Sequence, residues 1–139
     1  MRSDLIDLSS RQQLRVVSST PAELVLECTW QTGGAAPRTH WHPTQQEHFE
    51  VHEGELTVRA DGTERVVRAG ESFGVPPRTA HAMWNAGAAP CRATWRVTPG
   101  QRTLELFRTM GNRPSGVGKV AALWRFRREF RLGTPRGSA

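Results

Sequence analysis

The stretch GAAPRTHWHPTQQEHFEVHEG, from residue 34 to residue 54, contains four of the five histidines of this chain. The fifth lies in a second stretch, GESFGVPPRTAHAMWN, from residue 70 to residue 85. His40 and His42 are two residues apart, so on a strand both side chains point to the same face. The first stretch therefore predicts a pair of imidazoles on the inner face of a sheet.

Two further side chains complete a candidate metal site. Glu47 shares its strand parity with Phe49, which places its carboxylate inward, and His81 follows a tight turn at two prolines. Imidazole nitrogens and a carboxylate oxygen suit a borderline divalent metal, and an octahedral ion would keep about two positions open. We therefore expect one divalent ion bound by four ligands: His40, His42, Glu47 and His81.

The sequence around these residues is typical of an all-β domain. From about residue 13 to residue 99, short segments of alternating apolar and polar residues are separated by glycine and proline. The turn at residues 60–63 contains Asp61-Gly62, which predicts a hairpin. Many closely spaced strands with one apolar face favour a sandwich or barrel.

The two stretches resemble the signature motifs of the cupin superfamily. The first motif, Gly-x5-His-x-His-x4-Glu-x6-Gly, is matched at every fixed position from Gly34 to Gly54. The second, Gly-x5-Pro-x-Gly-x2-His-x3-Asn, is matched except that Arg78 replaces a glycine. The resemblance covers about residues 30–98, and the short spacing between the motifs is similar to that of small bacterial single-domain cupins.

This resemblance implies a fold, a partner and a cofactor. It implies a double-stranded β-helix, a jelly-roll-like barrel, which we assign to residues 1–100. Helical spacing after Gly100 predicts a short helical extension over residues 101–139. The resemblance also implies a homodimer and an enzymatic centre that holds iron, manganese, nickel or zinc. Cupins with this ligand set include dioxygenases, decarboxylases, isomerases, lyases and polyketide cyclases.

The aromatic composition reduces the number of cupin reactions that fit this chain. The chain has no tyrosine, which disfavours any cupin reaction that uses a tyrosine as acid, base or cross-link. The candidate acid or base is Glu47, a hydroxide on the metal or an outer histidine, and the tryptophans favour a flat or aromatic substrate. We expect a metal-dependent enzyme for a small enolic or aromatic molecule, working by dioxygenase-type oxidation or by non-redox cyclisation or isomerisation. The alternative is a small-molecule-binding or sensor cupin without catalysis.

The candidate substrate residues share the inner parity of the metal ligands. They are Arg38, Phe49, Met83 and Trp95. Arg38 is either an anion clamp or a surface residue at a strand end, and Trp95 is more typical of a core than of a pocket. Asn85 is expected to form structural hydrogen bonds.

The basic charge of the chain lies in its C-terminal part. Residues 1–100 contain ten arginines and eleven acidic residues, whereas residues 101–139 contain nine basic and two acidic residues. The domain itself therefore has no charge suited to nucleic acid, and we expect none as a partner. Helical spacing over residues 103–110 and 117–132 predicts two helices, with Trp124 and Phe130 packed on the barrel rather than on an anionic membrane.

Nothing in the sequence predicts export or a membrane span. The first residues contain acidic side chains and no long apolar run, so we expect a cytoplasmic protein. Cys28 and Cys91 belong to no CxxC pair, and both are expected to be reduced thiols.

Overall fold

A computed structural model describes residues 4–136 of the chain, and strands dominate it. The strands are β1 (Leu5–Asp7), β2 (Gln12–Ser19), β3 (Leu24–Trp30), β4 (His40–Trp41), β5 (Gln46–Glu53), β6 (Glu55–Ala60), β7 (Thr63–Arg68), β8 (Ser72–Val75), β9 (His81–Trp84), β10 (Cys91–Thr98) and β11 (Arg131–Leu132). The helices are α1 (Thr103–Gly111) and α2 (Val117–Arg125). The expected all-β class with a short helical extension is confirmed.

The strands form two antiparallel sheets. One has the order β1-β2-β3-β10-β5-β8 and the other has the order β11-β4-β9-β6-β7. Within the part of the chain that the structure describes, the two sheets share no hydrogen-bonded strand pair. The arrangement is therefore a sandwich-like version of the expected barrel, not a closed one.

Stacked aromatic rings fill the space between the sheets. The Phe49 ring stacks on Phe73 and on Trp95 with centroid distances of 4.7 Å and 5.0 Å. Phe107 from α1 lies 5.1 Å from Trp95, so the extension contributes to the same core. Such rings bury large apolar areas and prefer these offset and tilted contacts.

The tight turn at Gly54 explains why a motif position requires glycine. Gly54 has a φ of 72°, and a Cβ at this position would collide with the carbonyl oxygen of Pro90. The turn lets β6 start directly after β5. The predicted hairpin at Asp61-Gly62 is also present, with Ala60 paired to Thr63.

The C-terminal part differs from the expectation in one respect. The first predicted helix is present as α1, but α2 ends at Arg125 instead of continuing to residue 132. Trp124 is 68% exposed, whereas Phe126 is fully buried. The expected packing of Trp124 on the barrel is therefore wrong, because the chain turns after α2 and directs Phe126 into the core.

The last described residues return to the sheets. After the turn, β11 pairs with β4, with Arg131 opposite Trp41 and Leu132 opposite His40. The extension therefore forms the edge of the five-stranded sheet. Of the helices between residues 4 and 136, none is long and apolar enough to cross a bilayer.

Candidate metal centre

The four predicted ligands meet between the two sheets. His40 on β4 lies directly opposite His81 on β9 in the five-stranded sheet, and His42 follows at the end of β4. Glu47 reaches the same point from β5 in the six-stranded sheet. Both sheets must pack correctly before the site exists, so its geometry depends on the whole fold.

The ligand atoms are close enough to share one ion. One nitrogen from each histidine and one Glu47 oxygen all lie within 4.8 Å of one another. Glu47 Oε1 is 2.9 Å from His42 Nε2 and 2.8 Å from His81 Nε2. These separations suit ion pairs with protonated imidazoles, but no hydrogen bond between neutral groups satisfies the three buried atoms.

Unpartnered buried polar atoms are rare because leaving them unpaired costs roughly 1–3 kcal/mol each. Three such atoms converging on one point would be satisfied together by a cation. This donor set, nitrogen and oxygen without sulfur, fits the divalent ions that prefer imidazole and carboxylate ligands. The cluster could therefore bind a metal, and the residues fit the ion that the sequence predicted.

Backbone carbonyls hold two of the imidazoles in the orientation that a metal requires. His81 Nδ1 donates to the Thr79 carbonyl at 2.7 Å, and His42 Nδ1 donates to the Glu129 carbonyl at 2.6 Å. A carbonyl oxygen can only accept, so Nδ1 of each ring carries a hydrogen, and in the neutral imidazole the Nε2 lone pair faces the site.

Trp95 holds the fourth ligand. Its indole Nε1 donates to Glu47 Oε2 at 2.7 Å, which leaves Oε1 directed at the histidines. The aromatic stack fixes the indole ring, so the position of the carboxylate depends on the core. The sequence pattern predicts Trp95 in the core or in the pocket, but it does not predict this hydrogen bond.

The charges of the site also suit a cation. Burial raises the pKa of Glu47, but the imidazoles of His42 and His81 more than offset burial and hold the pKa well below its usual range. Burial, with the neighbouring rings of His81 and His42, lowers the pKa of His40 to about 3. At neutral pH the site therefore presents an ionised carboxylate and a neutral His40, the forms that bind metal.

The candidate substrate residues do not all surround one space. Phe49 is fully buried in the aromatic stack and Trp95 is almost so, whereas Met83 is half-buried at the edge of the core. The Arg38 backbone lies beside the His40 imidazole, but the Arg38 side chain is exposed. Contact of these four residues with a substrate stays a prediction.

Arg78, which replaces a motif glycine, keeps the glycine-like backbone. Its φ is 61°, in the left-handed region, and its amide donates to the His42 carbonyl at 2.8 Å. The guanidinium lies 5.2 Å from the Trp41 ring and donates to the Arg136 carbonyl. The replacement therefore ties this turn to the C-terminal segment.

The C-terminal segment also covers the site. Phe130 packs against the barrel as expected, whereas its contact with a ligand was not predicted. The Phe130 ring stacks on His40 with a centroid distance of 4.8 Å and an interplanar angle of 24°. Together with the Glu129 carbonyl, it places the segment against two ligand rings. No local motif could reveal this contact, because Glu129 is 87 residues from His42 in sequence.

Comparisons with known proteins agree with this architecture. Residues 26–97 match the family of the cupin domain. KdgF from Halomonas sp. is 21% identical with a TM-score of 0.65, and the alignment covers 73% of this chain and 92% of KdgF. An RmlC-like cupin from Shewanella frigidimarina NCIMB 400 is 20% identical with a TM-score of 0.64, over 74% of this chain and 89% of that protein.

A third similar structure is a predicted oxalate decarboxylase from Thermotoga maritima. It is 16% identical with a TM-score of 0.58, and the alignment covers 63% of this chain and 80% of that protein. No protein of curated function matches this chain in sequence. The similar structures establish the fold, and at these identities they do not establish an activity.

Proposed function

This chain belongs to the cupin family, and we propose that it is a metal-dependent enzyme that acts on a small organic substrate. The observation that carries the proposal is the set of three buried, unpartnered atoms, His42 Nε2, His81 Nε2 and Glu47 Oε1, that face one point. His40 completes the set from the most exposed side of the cluster.

The ion would be held by His40, His42, Glu47 and His81. When bound, iron, manganese, nickel or zinc would supply Lewis acidity and, for a redox-active ion, electron transfer from an enolic or aromatic substrate to dioxygen. The protein contributes orientation. Carbonyls fix two imidazoles, the Trp95 indole fixes the carboxylate, and the buried surroundings keep bulk water from three of the four ligands.

The geometry favours a ligand role for Glu47 over proton transfer. Its Oε2 accepts the Trp95 hydrogen bond, and its Oε1 faces the histidines, where it would bind the ion instead of taking a substrate proton. The lowered pKa of Glu47 also favours the ligand role, because it makes the carboxylate a weaker base. The catalytic role of Glu47 that the sequence suggested stays a prediction.

Two types of reaction fit this arrangement, dioxygenase-type oxidation and non-redox cyclisation or isomerisation of the polyketide cyclase kind. The test is turnover of a panel of catechols, enols and β-dicarbonyl compounds by protein loaded separately with each of the four metals. Oxygen consumption with the iron form alone would support oxidation. Product without oxygen uptake, also with zinc, would support the non-redox reaction.

His81→Ala is the matched inactive variant for this assay, since it removes a ligand, and His48→Ala is the control on an exposed position of β5. We expect activity to disappear with the first variant and to persist with the second. Equal activity of the two variants would contradict the proposal.

One observation favours a second function, a sensor or binding cupin in which the metal is structural. Phe130 covers His40 and the C-terminal segment contacts His42, and structural sites are usually closed to substrate. A metal-loaded chain that binds members of the panel and converts none of them, with and without oxygen, would favour this alternative.

A further inference from the structure

A groove of about 560 Å³ lies on the outer side of the C-terminal segment, between α2 and β11. This volume is in the range of small-molecule sites. The apolar part of its wall consists of Val120, Leu123, Trp124, Phe130 and Leu132. Trp124 and Val120 are 68% and 67% exposed, an unusual surface position for large apolar residues that nothing in the described chain covers.

Two arginines complete the wall and give it a positive charge. The guanidinium of Arg127 lies 4.2 Å from the centre of the Trp124 ring, and that of Arg131 lies 5.6 Å from the centre of the Trp41 ring. Each is also anchored to a carbonyl, Arg127 to Trp124 and Arg131 to Arg127. Their positions are therefore fixed without a carboxylate.

No acidic side chain neutralises this pair. The chain has only two acidic residues after residue 100, and both are engaged elsewhere, Glu105 with Arg125 and Glu129 with Arg102. Among residues 4–136, Arg127 and Arg131 form no ion pair. A guanidinium held beside an aromatic face is an arrangement that receives a carboxylate attached to a flat apolar group.

One side chain separates the groove from the metal centre. Phe130 lines the groove and also stacks on His40, a predicted metal ligand. A molecule in the groove would therefore lie one aromatic ring away from the ligand cluster.

We propose that the groove between α2 and β11 is a binding site for a small carboxylate with a flat apolar body. Arg127 and Arg131 bind the carboxylate, and Trp124, Phe130 and Leu132 contact the apolar body. The groove holds this molecule beside the metal centre, with Phe130 between them, a role that rests on the function proposed above. Binding of the anion itself does not depend on that function.

The test measures binding of 2-naphthoate by isothermal titration calorimetry, with the neutral 2-naphthamide as the matched probe. Both the metal-loaded and the chelator-treated chain are used, because a carboxylate could otherwise bind the metal directly. We expect 2-naphthoate to bind both forms and 2-naphthamide to bind about tenfold more weakly, since a charge-assisted contact is lost.

The variants locate the site. Arg127→Gln and Trp124→Ala should each weaken 2-naphthoate binding about tenfold, whereas Arg128→Gln should change it by less than about twofold. Arg128 is the matched control, because it is exposed on the same segment and does not line the groove. Arg131→Lys should weaken binding while keeping the charge, and circular dichroism checks that each variant is folded.

Any of three results would overturn the proposal. The two probes bind equally well, Arg127→Gln binds 2-naphthoate as tightly as the wild-type chain, or only the metal-loaded chain binds 2-naphthoate. Absence of binding together with Trp124-dependent sedimentation on phosphatidylglycerol vesicles would assign the surface to a membrane instead. The predicted pattern of 2-naphthoate binding, found in a chain that turns over no substrate, would support the groove as a binding site. It would contradict the proposed enzymatic function.

Discussion

Among single residues, Trp95 has the clearest role outside the ligand set. Its N–H is the hydrogen-bond donor to Glu47 Oε2, and the rest of its ring packs between Phe49 and Phe107. Outer partners of this kind orient metal ligands, and their removal typically costs about 10- to 100-fold in metal affinity.

We predict that Trp95→Phe lowers metal affinity by about 10- to 100-fold, because it keeps an aromatic ring in the core and removes the N–H. Competition with a fluorescent chelator measures the affinity. Trp84→Phe is the matched control, since Trp84 on β9 is half-buried and has no contact with Glu47 in the described structure. Equal affinity of the two variants would mean that the indole only fills space.

Arg78 allows a second residue-level prediction, which separates backbone strain from side-chain contacts. Both Arg78→Gly and Arg78→Ala remove the contact with Trp41, but only glycine adopts a φ of 61° without a steric cost. Arg78→Gly should therefore be more stable than Arg78→Ala by about 1 kcal/mol. Urea unfolding measures the difference, and a more stable alanine variant would show that the turn rearranges.

The metal ligands could be predicted from the sequence, whereas the residues that hydrogen-bond to them could not. The reason is that these residues lie far from the ligands in sequence. His40 and His42 are related by strand period, and the motif spacing relates them to Glu47 and His81. Trp95 is 48 residues from Glu47 and contacts it because β10 pairs with β5. Such a contact follows from strand pairing in three dimensions, which a local pattern does not contain.

At the scale of elements, the C-terminal segment is the feature that the sequence described least well. Helical spacing continues past Arg125, but α2 ends there, and the chain turns so that Phe126 is buried and β11 pairs with β4. The helical spacing shows only which residues of this segment are apolar. It does not show that the guanidinium groups of Arg102 and Arg125 lie 5.2 Å and 4.9 Å from the centre of the Phe126 ring.

Two substitutions test whether Phe126, as in the structure, or Trp124, as the helical spacing predicts, packs in the core. Phe126→Ala should lower the free energy of unfolding by about 3–5 kcal/mol, because it leaves a cavity in the core. Trp124→Ala should change it by less than about 0.5 kcal/mol, since most of that side chain is exposed. Chemical unfolding of the metal-free chain measures both, and the reverse order would restore the packing that the helical spacing suggested.

A change at Phe130 tests whether the segment covers the site. Phe130→Ala should expose His40 and accelerate removal of bound metal by a chelator, because the ring that stacks on the ligand is lost. Stopped-flow release of the metal to the chelator measures the rate. Leu123→Ala, a half-buried position that lines the groove away from the ligands, is the control. An unchanged release rate for Phe130→Ala would show that metal leaves by another route.

For the whole molecule, the metal and the fold should depend on each other. The ligands come from both sheets, so a bound ion would link the sheets and stabilise the folded chain by mass action. The expected homodimer, the cytoplasmic location and the division of the chain into a barrel (residues 1–100) and an extension (residues 101–139) stay predictions. Sedimentation equilibrium with and without metal tests the first of these.

The central claim is that His40, His42, Glu47 and His81 hold one divalent ion, and metal analysis of the purified chain tests it most directly. After incubation with each candidate metal and removal of excess by gel filtration, we predict about one equivalent per chain. His81→Ala and His42→Ala should retain little metal, and His48→Ala should retain the full amount. The same metal content in the wild-type chain and in both ligand variants, or no metal in a folded wild-type chain under every loading condition, would contradict the account.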